Sequence, residues 1–141
     1  MEEEIVIDIK YVNSGAEWMI LIDSGTPKSI VSSRWLNGYL RDAKVSDEDV
    51  KRTSCARHFK LGKRVYVSGV EVEFPMVLKM DENDFVKRRI TANVIESDEV
   101  NFLFGKETIK EWRTKVDFED DRLKFKGKDK SIELAKSEGA I

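Results

Sequence analysis

The sequence predicts a mainly β domain with one short helix near its C-terminal end. Apolar residues recur with period two along most of the chain, and turns containing Asn, Asp and Gly separate these runs. One stretch, beginning at Lys106, switches to helical spacing. At 141 residues the chain has room for one domain and one core.

The elements follow in order. Ile5, Ile7, Ile9 and Tyr11 alternate with Val6, Asp8, Lys10 and Val12, the pattern of a half-buried strand. Asn13-Ser14-Gly15 supplies a turn, and Glu17 to Ile22 returns as a second strand. Ser29 to Ser32 reads as a short strand, with Ser33 to Leu36 starting a helical turn. Residues Asn37 to Ser54 are polar and less regular, although Ser46 with Asp49 resembles a capping pair for a short helix over Asp47 to Arg52. Phe59 to Val67 reads as a hairpin with its tip near Gly62-Lys63-Arg64. The strand over Val70 to Leu78 contains Pro75, which lacks a ladder donor and belongs at an edge or bulge. Asp81 to Asp84 is a turn, followed by strands over Phe85 to Ile95 and Val100 to Phe104. Lys106 to Arg113 is the helix, with Ile109 and Trp112 on one face. Lys115 to Phe118 and Arg122 to Phe125 form a last hairpin, which closes the expected domain at residue 126. Residues 127–141 read as a charged, flexible tail.

Composition narrows the function classes. Charged residues make up 37% of the chain against 40% hydrophobic, which implies a heavily charged surface. The net charge is only -2, so no global field favours nucleic acid or a membrane surface. There is no apolar run of membrane-spanning length, and no signal-peptide core follows the acidic Met1-Glu2-Glu3-Glu4 start. Cys55 is the sole cysteine and cannot form an internal disulfide, which points to a reducing, intracellular and most simply cytoplasmic setting. His58 is the sole histidine, which excludes a His-rich metal site, and no G-x-S-x-G elbow is present.

The chemistry-bearing motif is Leu21-Ile22-Asp23-Ser24-Gly25-Thr26. Trp18 to Ile22 is apolar on both faces, so Asp23 leaves a buried strand. Desolvation there makes a carboxylate reluctant to ionise alone. Gly25 permits a sharp turn and close passage of a substrate. The motif occurs once in the chain.

Together with Asn101-Phe102-Leu103-Phe104-Gly105 and the helix after it, this motif resembles the retropepsins, the aspartic proteases of retroviruses and long-terminal-repeat retrotransposons. The resemblance runs from about Ile5 to Phe125. It implies a closed or half-barrel fold, active as a homodimer, with Asp23 of each copy catalytic and Ser24, Gly25 and Thr26 completing the active-site loop. Ser24 would hydrogen-bond across the two loops, and Thr26 would line the pocket wall. Gly105 would be the second structural glycine. The hairpin from Ala56 to Val67, with Gly62, Lys63 and Arg64 at its tip, would be the flap. The implied substrate is an extended peptide or a Gag-Pol-like polyprotein, with no cofactor and no metal. Viral members often pair an acidic residue two positions after the first glycine with an arginine just after the second. This chain has Pro27 and Lys106 there, so that pair cannot form.

Blander readings stand beside these. Asp23-Ser24-Gly25 also suits an ordinary turn. Lys60, Lys63 and Arg64 suit solvated charges, with contacts to substrate or RNA the sharper alternative. Asp117 and Asp120 suit solvated turns, and Cys55 suits a small, partly buried, unreactive side chain. Trp18, Trp35 and Trp112 suit packing. The runner-up function is a non-catalytic, retropepsin-like dimerisation or peptide-binding domain. A basic-hairpin RNA-binding module has less support, because the overall charge is balanced.

Overall fold

A computed structural model describes residues 5–10, 17–22, 25–81, 84–117, 119–120, 122–127 and 131–136. The strands are β1 (Ile5–Lys10), β2 (Glu17–Ile22), β3 (Ile30–Ser32), β4 (Lys51–Leu61), β5 (Arg64–Asp81), β6 (Asp84–Ile95), β7 (Phe102–Phe104), β8 (Thr114–Asp117), β9 (Arg122–Phe125) and β10 (Ser131–Lys136). The helices are α1 (Ser33–Asp42) and α2 (Lys106–Glu111), with a single 3-10 turn at Asp47–Asp49. Among the described residues the strands form one sheet in the order β4-β5-β6-β3-β7-β2-β1-β10-β9-β8. Most neighbours are antiparallel; β2 with β7 and β3 with β6 are parallel. Among the described residues, no helix is long and apolar enough to cross a membrane.

Period-two patterning builds the core from β5. Val72, Phe74, Met76 and Leu78 point to one face and are fully buried. Ile90 and Ala92 of β6, Phe102 and Phe104 of β7, and Leu123 and Phe125 of β9 join them. Helix α1 covers this core with Trp35, Leu36 and Tyr39. It starts where the Ser32 side chain caps the Trp35 amide at 3.1 Å, and ends before Lys44, which adopts a left-handed φ of 53°. The single turn expected at Ser33 is therefore a ten-residue helix, α1. Its charged outward positions and the interrupting Gly38 obscured the apolar spacing of Trp35, Leu36 and Tyr39.

Pro75 sits where its chemistry demands. Strand β4 ends opposite Glu73, so Pro75 lies beyond it, on the stretch of β5 that pairs with β6 alone. Its carbonyl accepts a 2.9 Å hydrogen bond from the Tyr39 hydroxyl. Burial of that phenol raises its pKa well above the ordinary tyrosine value, against a smaller lowering contribution from the Val77 backbone.

Three further expectations changed in extent. The 3-10 turn at Asp47–Asp49 replaces the short helix, with Ser46 capping the Glu48 amide at 3.3 Å. The hairpin around Gly62 belongs to a longer ribbon, β4 with β5, that runs back to Lys51 and Glu73. The flexible tail expected over 127–141 is corrected at Ser131–Lys136, which forms β10 between β1 and β9. The alternation Ser131-Ile132-Glu133-Leu134 carried that strand, but the surrounding lysines masked it.

The hairpin β8–β9 closes over Asp117. The carboxylate accepts from the Glu119 and Asp120 amides at 3.0 and 3.1 Å, and Lys124 Nζ lies 2.7 Å from it. The hydrogen bond from Lys124 is the main reason its pKa is lowered, helped by the Asp120 amide. A carboxyl lowered by folding stabilises the folded state above its ordinary pKa, and that contribution fades as pH falls through the folded value. Asp117→Asn should therefore lower the melting temperature at neutral pH. The deficit should shrink on strong acidification in a pH series of thermal melts.

Candidate active site

The sheet order forces two chain segments to cross. Strand β7 lies between β2, parallel to it, and β3, antiparallel to it. Ile22 is opposite Phe104 and Ile30 is opposite Leu103, so β2 ends and β3 begins at the same end of β7. The chain must pass over that end between residues 22 and 30, where β7 runs into α2.

Gly105 makes the crossing possible. A Cβ placed there would stand 2.4 Å from the Lys28 carbonyl carbon and 2.8 Å from the Ser29 nitrogen. Its φ is -82°, a value open to any residue, so the requirement is for space and not for backbone freedom. The amides of Lys106 and Glu107 donate to the carbonyls of Thr26 and Pro27 at 2.8 and 2.9 Å. These two bonds satisfy amides that open α2 and would otherwise lack helical partners.

A buried polar cluster lies beneath. Ser29 Oγ accepts from the Gly105 amide at 2.9 Å and stands 2.6 Å from Thr108 Oγ1. Both hydroxyl residues are buried. On the surface, Lys28 Nζ pairs with Glu107 at 3.1 Å. An ion pair thus lies one residue later in each segment than Pro27 and Lys106, with the cation on the first segment and the carboxylate on the second. Reading each neighbour of the two anticipated positions for complementary charge would have found it. Because both ends are substantially exposed, the pair contributes at most about 1 kcal/mol. Losing Ser29 would strand a buried donor, at about 1–3 kcal/mol.

Asp23 and Ser24 lie outside the described residues. Their neighbours bracket them: Ile22 is buried at the end of β2, Gly25 is exposed and Thr26 is buried in the crossing loop. The structure brings Thr26 and Gly105 together through the Lys106 amide. The hairpin tip stands elsewhere on the sheet, beyond β6, with Gly62 at a left-handed φ of 63°. Arg64 pairs there with Glu99 at 3.4 Å, and Lys63 is exposed.

Comparison with solved structures places this architecture. The crystal structure of the retroviral protease-like domain of Ddi1 from Leishmania major superposes with a TM-score of 0.58 over 100% of both chains, at 13% identity. The chain has a retropepsin-like fold. A retropepsin-like aspartic protease from Rickettsia conorii also aligns, over 83% of this chain and 95% of its own, at 15% identity and a TM-score of 0.35. No family model matches the sequence, and no curated protein does. Sequence similarity this low leaves the retropepsin-like fold to be recognised by strand order and loop crossing.

The crossing predicts a ranking of substitutions. Gly105→Ala should destabilise the fold by about 3 kcal/mol or more, since backbone must move to admit the methyl group. Ser29→Ala should cost about 2 kcal/mol, and Lys28→Ala under about 1 kcal/mol. Urea unfolding of the three variants measures the order.

Proposed function

We propose that this chain is an aspartic endopeptidase whose active site is formed by two copies of the Asp23-Ser24-Gly25 loop at a homodimer interface. The observation that carries this reading is the crossing itself. It holds Thr26 and the segment around Gly105 by backbone bonds directly beside the end of β2, from which Asp23 emerges. A carboxylate at position 23 would leave a strand end beside this bonded crossing, and the reaction needs precise placement of its groups.

One motif per chain supplies one carboxylate, whereas metal-free acid–base hydrolysis of a peptide needs two. One carboxylate takes a proton from water as the water attacks the carbonyl carbon. The other, protonated, donates to the developing oxyanion. A two-fold axis through facing copies of Asp23 meets the requirement with identical chains. The paired groups titrate as one coupled system, holding a single proton between them in the active form.

Gly25 would pass the substrate backbone, which lies extended against the loops. The β4–β5 hairpin would act as the flap, with Gly62, Lys63 and Arg64 at its tip, excluding water once peptide is bound. The resemblance to viral and retrotransposon enzymes extends the reading to polyprotein processing.

Asp23→Asn should cut kcat/KM for a peptide library by at least about a hundred-fold. Sedimentation and circular dichroism should be unchanged. Wild-type kcat/KM should be bell-shaped on the acidic side of neutrality, and specific activity should fall on dilution with the dimer fraction. Undiminished cleavage by Asp23→Asn removes the aspartic mechanism. Peptide binding by wild type without any cleavage selects the non-catalytic reading.

A further inference from the structure

Strand β5 outruns its neighbour. Its pairing with β6 stops at Val70, opposite Val94, whereas its pairing with β4 continues from Ser68, opposite Arg57, to the turn at Gly62. Among the described residues the end of the hairpin is therefore a two-stranded ribbon, and two strands alone are marginally stable. The ribbon leaves the sheet at a β-bulge. Cys55 and Ala56 stand against the single Gly69, between the pairs Ser54–Val70 and Arg57–Ser68. A bulge bends and twists its strand, so the hairpin's stance depends on the side chains that tie it down.

The ties at this root converge on β6. Arg57 Nη1 donates to Glu71 at 2.6 Å and to Asn93 Oδ1 at 3.2 Å, reaching across two strands. Asn93 Nδ2 donates to Cys55 Sγ at 3.5 Å, and the Cys55 thiol donates to the Ser68 carbonyl at 3.5 Å. Asn93 is 2% exposed, in a strand whose Ile90, Ala92 and Ile95 are buried hydrophobics. A buried carboxamide costs stability unless its polar atoms are partnered, a demand that a leucine of similar size does not make. Nearer the tip the contacts are weaker: the Tyr66 and Ser97 hydroxyls are 3.5 Å apart, and the Arg64–Glu99 pair is largely exposed.

Asn93 has a second attachment. Its backbone amide donates to the Ser29 carbonyl at 2.9 Å, and Ser29 Oγ accepts from the Gly105 amide at 2.9 Å. Hydrogen bonds thus lead from the hairpin root through Asn93 into the crossing beside the end of β2. We propose that Asn93 is a positioning residue: its side chain, through Arg57 and Cys55, sets the stance of the β4–β5 hairpin over the crossing that carries the Asp23 loop. This role rests on the reading of the hairpin as the flap. Without the side-chain ties the hairpin still forms, but a smaller fraction of molecules holds it over the loops. Peptide binds that aimed fraction, so KM rises in proportion while kcat stays.

Asn93→Leu keeps the backbone amide and removes both side-chain ties. Amide hydrogen exchange of the unliganded full chain, read by mass spectrometry, should accelerate about ten-fold over residues 57–68 and stay unchanged over 72–92. In peptide cleavage KM should rise about ten-fold, with kcat held within about two-fold. Arg57→Glu should produce the same changes. Adding Glu71→Arg to it should reverse most of them, because position 71 lies opposite Asn93 and returns a guanidinium to Oδ1. The Arg57 pair of variants decides the matter if Asn93→Leu does not fold. Acceleration throughout the sheet with a lowered melting temperature makes Asn93 a packing residue and overturns the proposal. Unchanged exchange over 57–68, an unchanged KM, a loss confined to kcat, or failure of the charge exchange to rescue also overturns it. A wild-type chain that cuts no peptide removes the protease reading, and the exchange measurements then decide alone: acceleration confined to 57–68 supports the positioning role, and uniform or absent acceleration overturns it.

Discussion

The backbone of Lys28 passes so close to the start of α2 that no side chain fits at residue 105. The remaining geometry of the candidate site depends on that contact. Because β7 is inserted between β2 and β3, the loop leaving β2 can reach β3 only by crossing over the end of β7. The close approach then aligns the Lys106 and Glu107 amides with the Thr26 and Pro27 carbonyls and puts Ser29 within reach of Gly105 and Thr108. Interior groups hold the crossing, and the surface pair of Lys28 with Glu107 adds little.

Strands as short as β3 and β7 cannot hold their own positions, and the aromatic core does so for them. Phe102 packs edge-on against Trp35 of α1, with ring centroids 4.8 Å apart, while Phe104 meets Trp112 at 4.7 Å. The two phenylalanines are two residues apart and so share one face of β7. Each is gripped by a tryptophan from a different end of the chain: Trp35 on α1, and Trp112 immediately after α2. The Trp112 indole is itself tied to the Arg89 carbonyl of β6 at 2.9 Å, which links the crossing to the long central strands. Geometry at the loop is thus set by packing on both sides of it.

Local periodicity made most of the sheet legible in the sequence. The strands around Val72 to Leu78 and Phe85 to Ile95 announce themselves by alternation, and Pro75 is tolerated for the reason its chemistry gives. The retropepsin-like fold was readable from the Asp-Ser-Gly segment and the Phe104-Gly105 segment taken together. Elements whose stability comes from distant partners were less legible. Helix α1 is amphipathic, but its charged outward face and Gly38 concealed its length. Strand β10 is short and flanked by lysines, and its pairing with β1 spans nearly the whole sequence. The tie from Ser29 to Thr108 joins residues 79 apart and leaves no local trace. The central site residues Asp23 and Ser24 were legible only as a motif.

The position of β10 bears on how the molecule is made. Ile5 pairs with Lys136, and the first strand is flanked by the second on one side and by the last on the other. A chain emerging from the ribosome can assemble β4, β5 and β6 from near neighbours, but β1 lacks one of its two partners until β10 has been made. Sheets dominated by such distant pairings fold slowly, because chain entropy is lost before the contacts that offset it form. The sheet edge left open on β1 during that interval is the same kind of surface that invites pairing with another chain. Addition of β10 therefore closes an edge of β1 that would otherwise be open to pairing with another chain.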